Sequence, residues 1–394
     1  MFRSPLALPF TFVLVAAAGG TASAQEATMR DIVDLLVTNQ SVQTGDFVKD
    51  RAAADAASAA LSQALLVSLS TLPTSASSAG FTYRFNPALG TLERTTTSFG
   101  PSFVERAVTS GRGRMALGAT WQYGRFTRLD GRDLDDGTLV TTANRFLDEP
   151  AAFDVETLSL ELSSSIITGF ATVGVTDRFD LAVAVPFMQL DLEGERVDTY
   201  RGASFTQAAS TATTSGFGDV AIRGKYAVLD RGTGRLAAVG EFRLPTGREQ
   251  DLLGAGRTTT RLMAVASLEG EMVAVHGNLG WVWGGVADEF TYGGALTMAT
   301  SPRVTVAAEL FGRHLGDVGR IGEITAPHPL ISGVETVRLG AESLGLHVVS
   351  AGASFKWNVG GPYLLKGSVL MPATDAGLTS RLRATIGIDY AFGG

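Results

Sequence analysis

The residues able to do chemistry in this chain are scattered, and most fail the tests that catalysis sets. The four histidines, His276, His314, His328 and His347, are too far apart in sequence to suggest a metal centre. With no cysteine there is no thiolate nucleophile, no disulfide framework and no Cys-ligated metal. A Ser–His hydrolase needs the pair on adjacent strands, and His276 has no such partner in view. Gly216-Phe-Gly218-Asp-Val-Ala221 fits the loose dinucleotide fingerprint. It follows a Thr/Ser loop and opens a strand, however, whereas that motif follows a strand and opens a helix. From Gly218 to Tyr226 a phosphate loop is imitated only by eye, because the spacer has five residues and Tyr226 stands where Ser or Thr would hold Mg²⁺. We therefore expect no catalytic residue, no metal, no cofactor and no enzyme.

What remains is a set of charged side chains at alternate positions. They are Arg114, Glu161, Asp219, Arg223, Lys225, Glu241, Arg243, His276, Glu309, Arg313, Lys356, Lys366, Arg383 and Asp389. Eight are basic and five acidic, with His276 neutral, in a chain whose net charge is −7. Placed around one bore, they would favour anionic or carboxylate-bearing solutes by their field. The competing reading is that they pair across neighbouring strands and only hold the wall together. Asp219, Arg223 and Lys225, set beside Glu241 and Arg243 of the next strand, form the constellation most able to contact a solute.

A bore requires strands to make it, and the period from about Gly113 onward is two. Met115, Leu117, Ala119, Trp121 and Tyr123 alternate with small or polar residues. So do Val273, Val275, Leu279, Trp281 and Trp283, and Leu382, Ala384, Ile386, Ile388, Tyr390 and Phe392. A soluble sandwich turns such a face inward, whereas an outer-membrane barrel turns it to lipid. Long polar connections (128–153, 194–215, 247–258, 285–291, 314–343 and 372–379) alternate with tight ones at 176–179, 230–234, 269–271, 300–303 and 359–361. Long loops outside and short turns in the periplasm are the barrel habit, as are aromatics at strand ends.

The fold class expected is thus all-β: a transmembrane antiparallel up-and-down β-barrel of about 12 strands over 113–394, with an N-terminal helical segment. The strands fall near 113–127, 154–175, 180–193, 216–229, 235–246, 258–269, 272–284, 291–300, 303–313, 345–358, 361–371 and 380–392. A phase change in the second, from Leu158, Leu160 and Leu162 to Ile167, Ala171 and Val173, predicts a bulge near Ser164. Counting 334–339 and the N-terminal hairpin would give 14. Gly216 and Gly218 are read as freeing the backbone at the loop-to-strand entry, and Pro245 as ending strand pairing at the rim.

Composition agrees with an envelope protein. Glycine is 47 of 394 residues against a usual ~7%. Charged residues are 18%, against a usual ~25%. The negative balance argues against nucleic acid as a partner. Arg3, the apolar run from Leu6 to Ala18 and Ala22-Ser23-Ala24 read as a secretory signal over 1–24, cleaved after Ala24. The bacterial outer membrane is the expected location. Residues 25–80 read as a helical periplasmic or plug segment and linker, and 81–112 as a short hairpin and lead-in. Ile32, Leu35 and Leu36 set a helical period, and an Ala-rich helix is expected over 47–69. Whether it fills the lumen or lies outside stays open.

The run Ser215-Gly-Phe-Gly-Asp-Val-Ala-Ile-Arg-Gly-Lys-Tyr226, with Phe242-Arg-Leu-Pro-Thr-Gly247, Leu253-Gly-Ala-Gly256 and His276-Gly-Asn-Leu-Gly280, resembles the outer-membrane transporter family named for the meta pathway of phenol degradation. Those proteins are relatives in outline of the FadL-type hydrophobic-compound channels. Ile386-Gly-Ile-Asp-Tyr-Ala-Phe392 likewise resembles barrel C-termini that end in an aromatic, here followed by Gly393 and Gly394. The resemblance spans roughly 81 to the end. It implies a barrel that passes small, often aromatic or apolar, molecules, and it transfers no binding residues. The expected function is an outer-membrane channel for passive uptake or export, with lipid and a small solute as partners. The alternative is a structural or docking barrel whose lumen is plugged and whose residues 27–72 bind a periplasmic component.

Overall fold

The computed structural model describes residues 27–37, 58–59, 61–67, 80, 83–86, 91–94, 96–316, 318–328, 330–343 and 345–392. The signal segment, most of the linker at 73–80 and the first half of the helix expected over 47–69 lie outside the described residues. Twelve antiparallel strands close into one barrel. They are β1 (Met115–Leu129), β2 (Ala152–Gly174), β3 (Phe179–Tyr200), β4 (Val220–Arg231), β5 (Gly234–Leu244) and β6 (Thr259–Glu269), followed by β7 (Val273–Gly284), β8 (Glu289–Ser301), β9 (Val304–Leu315), β10 (Leu346–Gly360), β11 (Tyr363–Pro372) and β12 (Leu378–Phe392). Each pairs with its sequence neighbour, and β12 pairs with β1 from Leu378↔Leu129 to Phe392↔Met115. Closure leaves no sheet edge, which a lipid environment demands.

The apolar half of the repeat points outward. Trp121, Ile167, Val183, Leu262, Leu279, Trp281, Leu296, Phe355 and Ile386 are all exposed on the barrel's outer wall. Aromatic clusters bound this band: Trp281 with Phe290 at 6.0 Å toward the long loops, and Tyr363 with Tyr390 at 5.0 Å toward the short turns. So large an exposed apolar surface has no stable place in water. The chain is a transmembrane barrel of the bacterial outer membrane, its short turns by rule on the periplasmic side.

Above the band the polarity inverts. In β3, Val183, Val185 and Phe187 are exposed outward, whereas a few residues on, Leu190 and Leu192 are buried inward and Glu193 and Glu195 face solvent. In β2 the same inversion puts Leu158, Leu160 and Leu162 inside. No bulge occurs near Ser164, because β2 and β3 pair without a register shift from Asp154↔Tyr200 to Gly174↔Asp180. The phase change is a change of surroundings along one continuous face. A strand crosses the bilayer in roughly 10 residues; the 23 of β2 and 22 of β3 carry the wall well beyond it.

The connections expected to be plain polar loops at 128–153 and 194–215 contain strands instead. Residues Ala203–Phe217 pair with the upper half of β3 and continue the wall above β4. Leu139–Phe146 pairs with the top of β2 and with Val334–Ser343, which forms a hairpin with Gly319–Pro327. Extended β2 and β3 would otherwise present unpaired backbone groups, and these segments satisfy them. Thus 334–339 is a strand, as read, but belongs to a loop. The N-terminal hairpin, Tyr83–Asn86 with Thr91–Arg94, is a separate two-stranded sheet, so the count of 14 is not realised.

Candidate functional site in the barrel lumen

The lumen is partly filled by the chain's own N-terminal segments. Helix α1 (Met29–Val37) begins with a capping box, Thr28 accepting from the Asp31 N–H while the Asp31 carboxylate accepts from the Thr28 N–H at 2.8 Å. The Thr28 hydroxyl, donating to the same carboxylate at 2.7 Å, and the Thr28 N–H hold the Asp31 carboxyl below its usual range. Its apolar stripe, Met29, Val33 and Leu36, packs with the inward leucines of β2 and β3 in one buried cluster. Gly194 makes room, since a Cβ there would collide with Leu36. Residues 61–67, also helical, put Leu61, Leu65 and Leu66 into the same cluster.

Two lumen arginines hold backbone carbonyls of these helices. Arg196 donates to the carbonyls of Leu35 and Leu36 while paired with Glu156 at 2.8 Å. Arg313 donates to the Val67 carbonyl at 3.0 Å. Cations at helix C-termini satisfy orphan carbonyls and complement the dipole.

At the periplasmic mouth a second segment, residues 96–112, crosses the bore. Glu309 accepts the N–H groups of Ser102, Phe103 and Val104, each at 2.8 Å, and the Ser354 hydroxyl at 2.8 Å. Lys356 donates to Pro101 O at 2.7 Å and Phe99 O at 3.3 Å. Lys225 pairs with Glu105 at 2.9 Å, and Arg223 with the same carboxylate at 3.1 Å. His276 sits between Ser267 at 2.8 Å and Thr297 at 3.4 Å, and those two hydroxyls in turn contact Ala107 N and Ser98. Asp180 accepts from Ser110 N at 2.8 Å. The strap is thus tied to at least six strands by side chains that reach in from the wall.

The residues chosen from sequence therefore part company. Lys225, His276, Glu309 and Lys356 point inward but are spent on the strap. Glu241 and Arg223 stand opposite in register and are ion-paired, with Arg243 at 2.9 Å and Arg261 at 3.8 Å on the other carboxylate oxygen. Lys366 pairs with Asp389 at 2.7 Å and lies 4.2 Å from the Phe170 ring centroid. Asp219 fixes a rim loop by accepting from Gly247 N and Ala255 N. Arg114 lies at the lower rim, just before β1. Glu161 faces outward, exposed, above the membrane band, because inward positions in β2 are the even ones. Gly216 and Gly218 take no positive φ; Gly218 is needed for space, a Cβ there falling 2.8 Å from Met188 Sδ.

Between strap and helices an open chamber remains, with a cavity volume of about 130 Å³. Its charged lining is Arg223, Arg261, Arg313 and Arg383 against Glu105 and Glu289, and its apolar lining includes Phe103, Val104, Met263, Phe311, Val348 and Pro372. The Phe103 and Phe311 rings lie 5.8 Å apart. A smaller space of about 20 Å³ under the 247–255 loop shares Arg261 and Glu289 with it. Sequence reasoning missed Arg261, Glu289 and Glu105. Arg261 could have been found, since it alternates with the outward Leu262 and stands opposite Glu241 in register.

Fold and lumen together define a transmembrane barrel with an internally plugged, partly cationic bore. Residues 143–320, a little under half of the chain, match the family described as "Putative MetA-pathway of phenol degradation", so the resemblance carried by the 215–280 run is shown. No curated protein matches the chain. Among solved structures it is similar to the COG4313 outer membrane channel from Pseudomonas putida F1, at 15% identity over 73% of this chain and 98% of that one, TM-score 0.47. It is also similar to the translocator domain of the autotransporter NalP from Neisseria meningitidis, at 10% identity over 72% and 89%, TM-score 0.36. The NanC porin is similar at 7% identity over 68% and 98%, TM-score 0.36. At such values the likeness is one of barrel form, and the solute has to be read from the lumen.

Proposed function

We propose that the protein is a non-enzymatic outer-membrane channel that passes small molecules, aromatic or otherwise apolar in body, by diffusion. The observation that carries this reading is the chamber: a cavity of about 130 Å³ kept open midway along the bore, lined by charged and apolar side chains together. A barrel serving only as a scaffold gains nothing from an unfilled interior, because voids cost packing energy. The strap and the helices then set how far the route is open at either end.

The test is planar-bilayer conductance and liposome swelling with the purified full chain, beside a variant in which the strap's main anchor is removed, Glu309→Ala. Flux in the native protein, raised in the variant, supports the channel. A barrel that inserts and yet gives neither current nor swelling in either form is the docking scaffold instead.

A further inference from the structure

Three guanidinium groups in the chamber have more donors than the surrounding chain accepts. Arg261 Nε and Arg313 Nη1 are buried with no hydrogen-bond partner, as is the Ser380 hydroxyl that also lines the chamber. Arg383 lines the chamber with neither ion pair nor hydrogen bond among the described residues. The nearby acids are already engaged or outnumbered. Glu241 is shared by Arg223, Arg243 and Arg261, and Glu105 by Arg223 and Lys225. Glu289 lies 3.9 Å from Arg313, too long for a hydrogen bond, and its Oε2 is the one unpartnered carboxylate oxygen among these acids, so a single acid faces the three guanidinium groups. Buried donors left unmade are costly, and a guanidinium fork fits a carboxylate with two parallel bonds. Beside them stand Phe311 and Met263, on the same strands as Arg313 and Arg261, Val348, opposite Arg313 in register, and Phe103 of the strap, with no acceptor in their side chains to compete for a polar head.

From this lining of guanidinium and apolar groups side by side we infer that the chamber is a binding station for a small organic monoanion, a carboxylate carried on an aromatic or apolar body. The inference rests on the channel reading for the solute's access. The carboxylate takes the free donors of Arg261, Arg313 and Arg383, with the Ser380 hydroxyl as a further donor. The ring or chain lies against the Phe103–Phe311 pair. A neutral phenolic or alcohol head would leave the excess positive charge unmatched, and a cation would meet three arginines.

Purified full-length protein in detergent at low ionic strength is titrated with sodium benzoate and, separately, with benzamide, which keeps the ring and loses the charge. Benzoate should bind about tenfold tighter or more, the loss expected for one charge-assisted contact. R383Q should remove most of that preference, and R303Q, in an exposed periplasmic turn, should leave it intact. Equal affinities, or no benzoate binding by the native protein, overturn the inference without any variant having to fold. Bilayer conductance of the same preparation separates the two readings. Current without a benzoate preference removes the carboxylate station and leaves the channel, whereas a benzoate preference without current leaves the station and removes the channel.

Discussion

The Glu309 carboxylate accepts the backbone N–H of Val104 at 2.8 Å, across 205 residues of sequence. Ser102 and Phe103 bond to the same group, so one wall side chain holds three consecutive amides of the strap. Hydrogen bonds to a charged acceptor contribute about 1.5–3 kcal/mol each, and losing a buried charge partner costs ~3–5 kcal/mol. Glu309→Ala should therefore release the strap rather than merely weaken the barrel. We expect trypsin to reach Arg106, now 1% exposed, much faster, while heat-modified mobility on gels still reports a closed barrel. Unchanged cleavage at Arg106 would show that Lys356, Lys225 and the hydroxyls hold the strap without Glu309.

Arg196 joins the plug to the wall in the same manner. It is 4% exposed, bonds two carbonyls of α1 and pairs with a Glu156 that is fully buried. Arg196→Met removes the helix cap and a partner of a buried carboxylate together, at a cost of about 3–5 kcal/mol. Hydrogen exchange over 29–37 should rise by orders of magnitude while exchange in β6 to β9 stays as it was. If α1 amides remain equally protected, the leucine cluster alone seats the helix.

The cap at the other end of α1 gives a pH dependence of known sign. Asp31 has its carboxyl lowered by hydrogen bonds from the Thr28 side chain and backbone. A depressed folded pKa stabilises the folded form above the unfolded value, and that contribution fades as pH falls through the folded one. Protection of the first turn of α1 should accordingly weaken on acidification below the ordinary aspartate range, and Asp31→Asn should abolish the pH dependence. The group is solvent-exposed, so the effect is confined to fraying of that turn.

Much of this was legible beforehand, and the failures have one cause. All twelve barrel strands are visible in the alternation, even Glu289–Ser301, whose Thr291-Tyr-Gly-Gly294 interior weakens the pattern. Alternation says which residues share a face; it does not say what that face meets. Leu158, Leu160 and Leu162 look like lipid-facing residues because only the packed helix, far away in sequence, makes them inward. Glu161 was placed in the bore for the same reason. Lys225, Glu309 and Lys356 read from sequence as solute-contacting candidates, and no local signal announces that residues 96–112 occupy their hydrogen bonds. Glu105 and Arg106 lie in a stretch with no clear period, so nothing marked them as lumen residues.

The orientation of the greasy face has a direct optical test, because all four tryptophans sit on it. Trp121, Trp281, Trp283 and Trp357 are each 42–46% exposed on the outer wall, and Trp121 Nε1 donates to Ser165 on the neighbouring strand at 2.9 Å. Amphipathic rings of this kind settle at the membrane interface, apolar body in and N–H outward. In vesicles, emission should be blue-shifted and strongly quenched by phospholipids brominated on the acyl chains. A water-soluble quencher small enough to enter the bore should have little effect, since none of the four indoles lines the chamber. Trp357, on the periplasmic side, and Trp281, on the loop side, should each lose intensity when retained as the only tryptophan. If bromolipid leaves the emission unchanged while the aqueous quencher removes it, the outward band is not in lipid and the barrel is not membrane-embedded as drawn.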